Sequence, residues 1–457
     1  MNPSNTAPVV STDDSAQRLQ RLSAVAEQLI ERARAAGADQ CEVTCNEDMG
    51  LAVNVRMGDV ETVEATRDRG VSVTVYVGQR KGSASTADLR EDSLAATVTQ
   101  ACAIARHTEE DPCAGLADAA LMASTLREFD SWHPAPFNAD HAIDVALACE
   151  AAGREMDARI ANSDGASMNA NASLSVYANS HGFLGAERAT SYSAGCALIA
   201  GVGDAMQRDG WFSVALAQAD LESAEAIGRK AARRTLERLD PRQLPTGQVP
   251  VLFCAEMARS LIGSYIGAIS GGALYRRASF LLDSVGTQVF PDWFSIEEDP
   301  FLPRGFRSAA FDAEGVATRQ SMLVEDGRVQ RYVLGSYSAR KLGLQSTANA
   351  GGVHNLEVKP NAGDLPSMLH AMQRGLLVTE LMGQGVNMIT GDYSRGAAGF
   401  WVENGEIVYP VDGITIAGNL KAMFAGIEAV GSDVDPRSHL RTGSILVGRM
   451  TVAGNGG

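Results

Sequence analysis

Tryptophan, cysteine and positive charge are all scarce in this sequence of 457 residues. It contains 4 tryptophans, 7 cysteines, and 39 Lys and Arg against 55 Asp and Glu, so its formal net charge is −16. Nucleic-acid grooves bind phosphates through a surplus of Lys and Arg. The acidic balance therefore argues against a nucleic-acid partner, although net charge does not describe how charges are distributed.

No stretch of the sequence approaches the roughly 18 consecutive apolar residues of a membrane span. The first residues, MNPSNTAPVVSTDDSAQ, have neither a basic start nor an apolar core, so we expect no signal peptide. An odd number of thinly spread cysteines is typical of reduced thiols rather than of a disulfide framework. These features predict a cytoplasmic protein without a membrane partner.

Most catalytic motifs are missing as well. The sequence has no Gly-Lys-Ser/Thr and no G-x-S-x-G, and GVGDAM and GQGVNM each lack the third glycine of a dinucleotide fingerprint. No two of the seven histidines lie closer than eight residues, so none forms the short-spaced pair of a zinc helix. Only His354, in the Gly-rich stretch STANAGGVHNLEV, stays a candidate, although a structural role is the commoner explanation.

Hydrophobic periodicity divides the rest of the chain into three units after a tail at 1–14 that we expect to be disordered. Two units, 15–110 and 125–240, each combine helical spacing with short β-branched runs. The linker DPRQLPTGQVP (240–250) leads into a strand-rich unit at 245–457. The pattern predicts an α+β protein, in which two α+β units with antiparallel sheets precede a mostly antiparallel β domain.

The third unit contains the clearest local signals. LVEDGRVQRYVL (323–334) and FWVENGEIVYPV (400–411) each place Asp-Gly or Asn-Gly between apolar runs, which predicts tight hairpins. Asp364, two residues before Pro366, predicts the start of a helix. The apolar face of that helix is predicted to consist of Leu365, Leu369, Met372 and Leu376.

The stretch VLFCAEMARSLIGSYIG (251–267) is an apolar run followed by a predicted helix with one glutamate, Glu256, near its start. A metalloprotease helix would place histidines on both sides of such a glutamate, whereas Ala255 precedes it here and Ser260 follows.

Four stretches of the sequence resemble the TldD/PmbA family of metalloproteases, and more closely its PmbA (TldE) branch. They are PVLFCAEMARSL, DAEGVATRQSMLVEDGRV, LGLQSTANAGG and GDYSRGAAGFWVENGEIVYPVDGITIAGNL. The resemblance covers essentially the whole chain. It implies that the TldD branch holds its metal with the two histidines of H-E-x-x-x-H and a C-terminal cysteine. In this sequence the motif falls on Ala255, Glu256 and Ser260, and no cysteine follows Cys254.

Every ligand that the resemblance implies is therefore replaced. Alanine offers no lone pair, and the serine hydroxyl stays protonated at neutral pH, so neither suits a catalytic zinc. We expect no metal and no catalytic residue in this chain. Glu256 is then either a carboxylate that the dipole at the helix N-terminus stabilises or a contact to a partner.

The resemblance further implies a cytoplasmic heterodimer in which a TldD-like paralogous subunit supplies zinc. The complex is expected to cleave unfolded or small peptides, including the leader of a modified microcin precursor and a labile antitoxin. A homodimer is the expected alternative assembly when the chain is alone.

Two other functions stay open at this point. The chain could be an independent hydrolase, with His354, Asp392, Tyr393 and Arg395 as first candidates, or an interaction protein that binds peptides without a protease partner. As a non-catalytic subunit, it would use the same four side chains to face a peptide or the partner.

Overall fold

A computed structural model describes residues 14–135 and 138–454, so all of the predicted tail except Asp14 lies outside the described residues. The described chain forms two compact units. Unit 1 comprises the described residues up to Leu236 together with Ala310–Thr318, and unit 2 comprises Glu237–Ala309 and the described residues from Arg319 onward. The chain is α+β with sheets rich in antiparallel pairs, as the sequence predicts.

Unit 1 is built on one antiparallel sheet of six strands in the order β3-β2-β1-β4-β5-β6. Its main elements are α1 (Ser15–Ala35), β1 (Gln40–Arg56), β2 (Asp59–Val77), β3 (Arg80–Thr86), α2 (Glu91–His107), α3 (Ala139–Arg154), β4 (Asn162–Asn179), β5 (Leu184–Ala200), β6 (Gln207–Ala215) and α4 (Ala224–Glu237). Side chains alternate along β1, and its buried residues Cys41, Val43 and Cys45 share a core with Leu29 of α1 and Ala101 of α2.

The segments predicted as separate units, 15–110 and 125–240, contribute to this one sheet. The reason is that β1 pairs with β2 on one side and with β4 on the other, both antiparallel. Periodicity reveals which side chains of a strand are buried, but it does not identify a pairing partner that is distant in sequence.

Unit 2 contains two further sheets. Its elements are β7 (Gly247–Phe253), α5 (Ala255–Ala268), α6 (Gly271–Tyr275), β8 (Ile296–Asp299), β9 (Ser321–Glu325), β10 (Arg328–Val329), α7 (Ser336–Leu342), β11 (Asn355–Val358), α8 (Leu365–Met372), β12 (Gly375–Met382), β13 (Asp392–Glu403), β14 (Glu406–Asn419), α9 (Leu420–Ala425), β15 (Ile427–Val430), β16 (Leu440–Arg441) and β17 (Ile445–Gly454). β10-β9-β8-β11-β16 form one sheet and β14-β13-β12-β7-β17-β15 the other. An additional pairing of β14 with β17 closes five strands into a ring.

Both predicted hairpins are confirmed. Glu325 pairs with Arg328 and Glu403 with Glu406, so each turn has two central residues. All four central residues have positive φ, at 49° and 73° for Asp-Gly and at 54° and 78° for Asn-Gly. Asparagine, aspartate and glycine tolerate this backbone region best, which is why the dipeptides are informative.

The predicted helix start at Asp364 is also confirmed, since its carboxylate accepts a hydrogen bond from the Ser367 N–H at 3.1 Å. The predicted apolar face is wrong in one position. The helix ends at Met372, Gln373 has a φ of 60°, and Leu376 lies in β12. A left-handed residue ends the helical repeat, which spacing alone does not show.

Part of the predicted third unit belongs to unit 1. Within Ala310–Thr318, the Phe311 ring lies edge-on to that of Phe183, with 5.2 Å between the centroids, and it is buried with Tyr177. Among the helices of the described residues, none is long and apolar enough to cross a membrane.

Glycines bring α3 and α4 into direct backbone contact. A Cβ added to Gly228 of α4 would lie 1.9 Å from the carbonyl oxygen of Cys149 in α3, and one added to Gly153 would lie 2.8 Å from the Gly228 oxygen. Backbone atoms cannot move aside as a flexible side chain can. This helix pair therefore requires glycine at both positions.

We expect Gly228→Ala to lower the free energy of unfolding of unit 1 by about 1–3 kcal/mol because the added methyl group forces α3 and α4 apart. Urea unfolding measures the loss, and hydrogen exchange should show faster exchange in these two helices. The matched control is Gly263→Ala within α5, where a Cβ meets nothing within 4 Å. Equal effects of the two substitutions would contradict the contact.

Candidate functional site

The helix that carries Glu256 is anchored at its N-terminus on the closed sheet. Cys254, between β7 and α5, donates its N–H to the carbonyl oxygen of Val378 in β12 at 3.1 Å. Its own carbonyl oxygen accepts hydrogen bonds from the N–H groups of Met257 and Ala258, each at 2.8 Å. The first turn of α5 is therefore fixed against two strands of unit 2.

The structure shows the surroundings of each position of the metalloprotease motif. Ala255 is buried and has no donor atom in its side chain. Ser260 donates its hydroxyl to the carbonyl oxygen of Met257 at 2.8 Å. Glu256, in the first turn of α5, accepts a hydrogen bond at Oε1 from Nη2 of Arg437 at 2.9 Å. The glutamate is thus paired with a cationic side chain.

Arg437 belongs to a set of four charged side chains, Glu256, Arg259, Asp435 and Arg437, which we call the α5 ion network. Its guanidinium contacts Asp435 twice, with Nε to Oδ1 and Nη2 to Oδ2 both at 2.9 Å. Nη2 of Arg259 lies 3.3 Å from Oδ2 of Asp435. Since the side chains of Arg437 and Asp435 are only 8% and 5% exposed, solvent screens this network little.

The network keeps Asp435 ionised. Burial alone would raise the pKa of Asp435, but hydrogen bonds from Arg437 and the charges of Arg437 and Arg259 outweigh it and leave that pKa below its usual value. A buried carboxyl group that lies between two guanidinium groups ordinarily stays ionised, because the opposite charges favour its charged form. A fixed positive charge therefore lies beside Glu256.

The residues present do not fit a zinc ion. A catalytic zinc takes three nitrogen, sulfur or oxygen ligands, whereas Ala255 has no donor and the Ser260 hydroxyl is bound to a backbone oxygen. The guanidinium beside Glu256 also repels a cation. Across residues 14–135 and 138–454, no three His, Cys, Asp or Glu side chains converge as a metal site requires. We assign no catalytic step to a metal at this helix.

His354 lies in a second ionic cluster of unit 2, around Glu298. Oε1 of Glu298 accepts a hydrogen bond from the His354 N–H at 2.6 Å and lies 3.1 Å from its Nδ1. Asn349 donates Nδ2 to the same oxygen at 2.9 Å, and Arg331 forms an ion pair with Oε2. The side chains of Glu298 and His354 are 2% and 9% exposed, so His354 has little surface to offer a peptide.

This cluster also favours a charged carboxylate. Burial alone would raise the pKa of Glu298, but the His354 hydrogen bonds and the Arg331 charge leave it below its usual value. Nearby His439 has a lowered pKa because it is partly buried and because the guanidinium groups of Arg307 and Arg259 add positive charge. The neutral form of His439 is therefore favoured.

The other three candidates, Asp392, Tyr393 and Arg395, lie on β13. The Asp392 carboxylate is exposed and accepts hydrogen bonds from Thr390 Oγ1 at 2.7 Å and Asn419 Nδ2 at 3.2 Å. Tyr393 is buried, which raises its pKa to about 12 despite the nearby Arg395 guanidinium. In the sheet β12 separates β13 from β7, the strand that leads into α5. These side chains thus belong to a different strand from Glu256.

Sequence reasoning missed Arg437, Asp435, Glu298 and Arg331. Their partners are distant along the chain, and no fixed spacing relates Glu256 to the stretch DVDPRSHLR at 433–441. The only available signal was the density of charged residues in that stretch. Such a run is most often a solvated surface loop, so it carries little information by itself.

Three family models match this chain in succession. They describe domain 1, the central domain and the C-terminal domain of PmbA/TldA metallopeptidases, at residues 41–105, 132–239 and 246–454. Together they cover most of the chain. The chain belongs to the PmbA/TldD family of metallopeptidases.

Its relatives place the chain in the PmbA branch of that family. It is 48% identical to metalloprotease PmbA of Escherichia coli O157:H7, over 91% of this chain and 93% of that protein. It is 47% identical to a PmbA homologue of Haemophilus influenzae, over 93% and 94% of the two chains.

Solved structures show the same fold. A protein of Bacteroides thetaiotaomicron, proposed as a modulator of DNA gyrase, superposes with a TM-score of 0.90 at 26% identity, over 97% of this chain and 99% of that one. TldE of Thermococcus kodakarensis superposes with a TM-score of 0.80 at 20% identity, over 94% and 100% of the two chains. The second likeness is one of fold alone.

We expect Glu298→Gln to lower the free energy of unfolding of unit 2 by about 3–5 kcal/mol at neutral pH because it leaves Arg331 without its charged partner. A carboxylate whose pKa is lowered by folding stabilises the protein above its unfolded pKa of 4.5, and this contribution is lost as pH falls through the lower folded value. The difference between wild type and variant should therefore shrink below about pH 4.5.

Urea unfolding tests this dependence, with hydrogen exchange used to monitor unit 2 at pH values from neutral to about pH 3. The control is Glu406→Gln, an exposed hairpin carboxylate without an ion pair in the described part of the chain. A difference for Glu298→Gln that stays constant with pH would contradict the assignment.

Proposed function

We propose that this chain is the non-catalytic, metal-free subunit of a heterodimeric TldD/TldE-type metalloprotease. The observation that carries the proposal is the pairing of Glu256 with Arg437, at the helix where the motif of the TldD branch would place its general base. A general base must be free to take a proton from water. Glu256 is instead bound to the guanidinium of Arg437. The motif positions on either side of it, Ala255 and Ser260, provide no metal ligand.

The proposed partner is a TldD-like paralogous subunit that supplies the zinc, and the proposed compartment is the cytoplasm. The proposed substrates are unfolded or small peptides, of the microcin-leader or labile-antitoxin type. This chain would contribute shape and peptide-binding surface, to which exposed Asp392 and half-buried Arg395 of β13 are suited better than buried His354 and Tyr393.

Two alternatives remain as outcomes of the tests. Peptide cleavage by the highly purified chain would favour an independent hydrolase. Peptide binding without any TldD-like protein in pull-downs would favour an interaction protein.

We expect the purified chain to hold no stoichiometric zinc and to cleave no peptide, and we expect Ala255→His with Ser260→His to restore neither. Five residues along a regular helix rotate the side chain by about 140°, and α5 is continuous from Ala255 to Ala268. The two histidines would therefore point away from each other, with Arg437 still beside Glu256. Elemental analysis and a peptidase assay measure both outcomes, and zinc-dependent cleavage by either protein would contradict the proposal.

We expect co-expressed TldD-like subunit and this chain to co-elute at micromolar concentration and to cleave peptides, burying more than about 2,000 Å² as obligate complexes do. Glu256→Gln in this chain should leave that activity intact and cost about 1 kcal/mol of stability, since Arg437 keeps its two hydrogen bonds to Asp435 and the amide oxygen still accepts a hydrogen bond from Arg437. The matched variant replaces the glutamate of the partner's H-E-x-x-x-H and should abolish cleavage.

Assembly and metal content of both complexes are measured in parallel. A Glu256→Gln complex that assembles and holds its zinc but does not cleave would show that Glu256 is catalytic. Separate elution of the two subunits would refute the heterodimer.

A further inference from the structure

Helices α6 and α7 of unit 2 bring two tyrosines and two cationic side chains into one continuous row. The rings of Tyr275 and Tyr337 lie nearly perpendicular, at 83°, with 5.8 Å between their centroids. The Arg276 guanidinium lies over the Tyr275 ring at 5.3 Å, and the Lys341 ammonium lies over the Tyr337 ring at 5.3 Å. Each ring therefore holds a cation by its face. We call these four side chains the basic–aromatic row.

The row can form because the two helices approach each other closely. A Cβ added to Gly271 of α6 would lie 2.2 Å from the hydroxyl oxygen of Ser338 in α7. The Gly271 N–H donates to the carbonyl oxygen of Val333 at 2.9 Å, which ties the start of α6 to the chain that leads into α7. Leu274 and Ala339 are buried in the core of unit 2. The row thus lies on the outer side of a fixed helix pair.

The row is a local excess of positive charge in an acidic chain. Arg276, Lys341 and the neighbouring Arg277 are all exposed. Neither residues 257–282 nor residues 327–356 contain an aspartate or a glutamate. Within the described part of the chain, Arg276 and Arg277 form no ion pair. Both guanidinium groups can therefore bind an anionic ligand.

Arg277 also has a backbone conformation that suits glycine. Its φ is 54°, in the left-handed region that a residue with a Cβ disfavours. Its N–H donates to the carbonyl oxygen of Leu274 at 2.9 Å, at the end of α6, where glycine is the usual residue. Since folding alone would favour glycine at this position, the arginine side chain is the part that a function would use.

We propose that the basic–aromatic row, together with Arg277, binds a short acidic segment of an extended peptide. Guanidinium groups bind carboxylates through paired hydrogen bonds, and tyrosine rings offer apolar surface to the rest of the peptide. The row is at most about 16 Å long, which is the length of roughly five residues of an extended peptide. Acidic side chains at alternate positions lie on one face of such a peptide and reach both ends of the row.

The charge of the whole chain favours a peptide over a nucleic acid. A nucleic-acid strand is charged at every nucleotide, and it would extend beyond the row onto a chain whose formal net charge is −16. At physiological salt, repulsion is screened only beyond about 8 Å. A short acidic segment avoids this repulsion because its charge ends where the row ends.

This site rests on the proposed function in one respect, since it assigns acidic segments to the peptides that the complex would cleave. Binding itself is a property of this chain and is measured without a partner. A chain that binds acidic peptides but does not co-elute with a TldD-like subunit would keep the site and refute the heterodimer.

Fluorescence anisotropy of the full chain with labelled peptides of about ten residues tests the site. One peptide alternates glutamate with serine and glycine, and in the other glutamine replaces each glutamate. The glutamate peptide should bind at least about tenfold more tightly, because only carboxylates form charge-assisted pairs with the row. Its affinity should fall as the salt concentration rises from about 50 to about 200 mM.

Arg276→Glu with Arg277→Glu should weaken binding of the glutamate peptide by about tenfold or more, because like charges then face each other. The matched control is Arg21→Glu with Arg233→Glu, which changes the net charge equally at two exposed arginines of unit 1. Arg277→Gly should weaken binding about threefold or more without lowering the thermal midpoint, because glycine suits the positive φ. A merely structural role of Arg277 would lower that midpoint instead.

Three results would overturn the proposal. Equal affinity for the glutamate and glutamine peptides would exclude recognition of carboxylates. A loss in Arg276→Glu with Arg277→Glu no greater than in the control would place the peptide on another surface. Tighter binding of a single-stranded DNA of about ten nucleotides, lost in the same variant, would assign the row to nucleic acid. Circular dichroism confirms that each variant is folded.

Discussion

The backbone groups of long strands must all find hydrogen-bond partners, and this constraint organises both units. In unit 1, β1 meets it by pairing along most of its length with β2 on one side and with β4 on the other. In unit 2, β14 pairs with β17 and closes a ring of five strands. A buried unpaired N–H or C=O group costs free energy comparable to a lost hydrogen bond, so each long strand is buried only where neighbouring strands supply its partners. At residues 59–70 of β2, whose outer edge is exposed, solvent provides the hydrogen-bond partners instead.

At the candidate site, a network of charged side chains surrounds the start of α5. α5 begins directly after a central strand and is held by the hydrogen bond from Cys254 to Val378. The ion pair with Arg437 gives Glu256 a structural role that needs no metal. Because Asp435 binds both Arg437 and Arg259, the site consists of matched charges rather than of a free base. Family membership therefore establishes the fold more securely than it establishes catalysis by this chain.

The Glu298 cluster and Asp392 differ in what a peptide could reach. The Glu298 cluster is almost completely buried and satisfies His354, Arg331 and Asn349 internally. In contrast, Asp392 on β13 is exposed. A side chain must be both unsatisfied and accessible to recognise a ligand, and burial therefore separates these candidates where residue type did not.

The sequence by itself determined the local features of this protein. Turn chemistry specified the hairpins at Asp326-Gly327 and Asn404-Gly405, capping specified the start of α8, and the missing ligands at Ala255 and Ser260 were visible without a structure. Each of these depends on residues within a few positions of one another.

Only the tertiary structure decided the partners of those local elements. It joined two predicted units into one sheet, moved Ala310–Thr318 into unit 1, buried His354 against Glu298 and placed Arg437 beside Glu256. All of these contacts join residues that are distant along the chain. They depend on which arrangement buries the most apolar surface while satisfying every buried charge, and this is a property of the whole fold that no short spacing encodes.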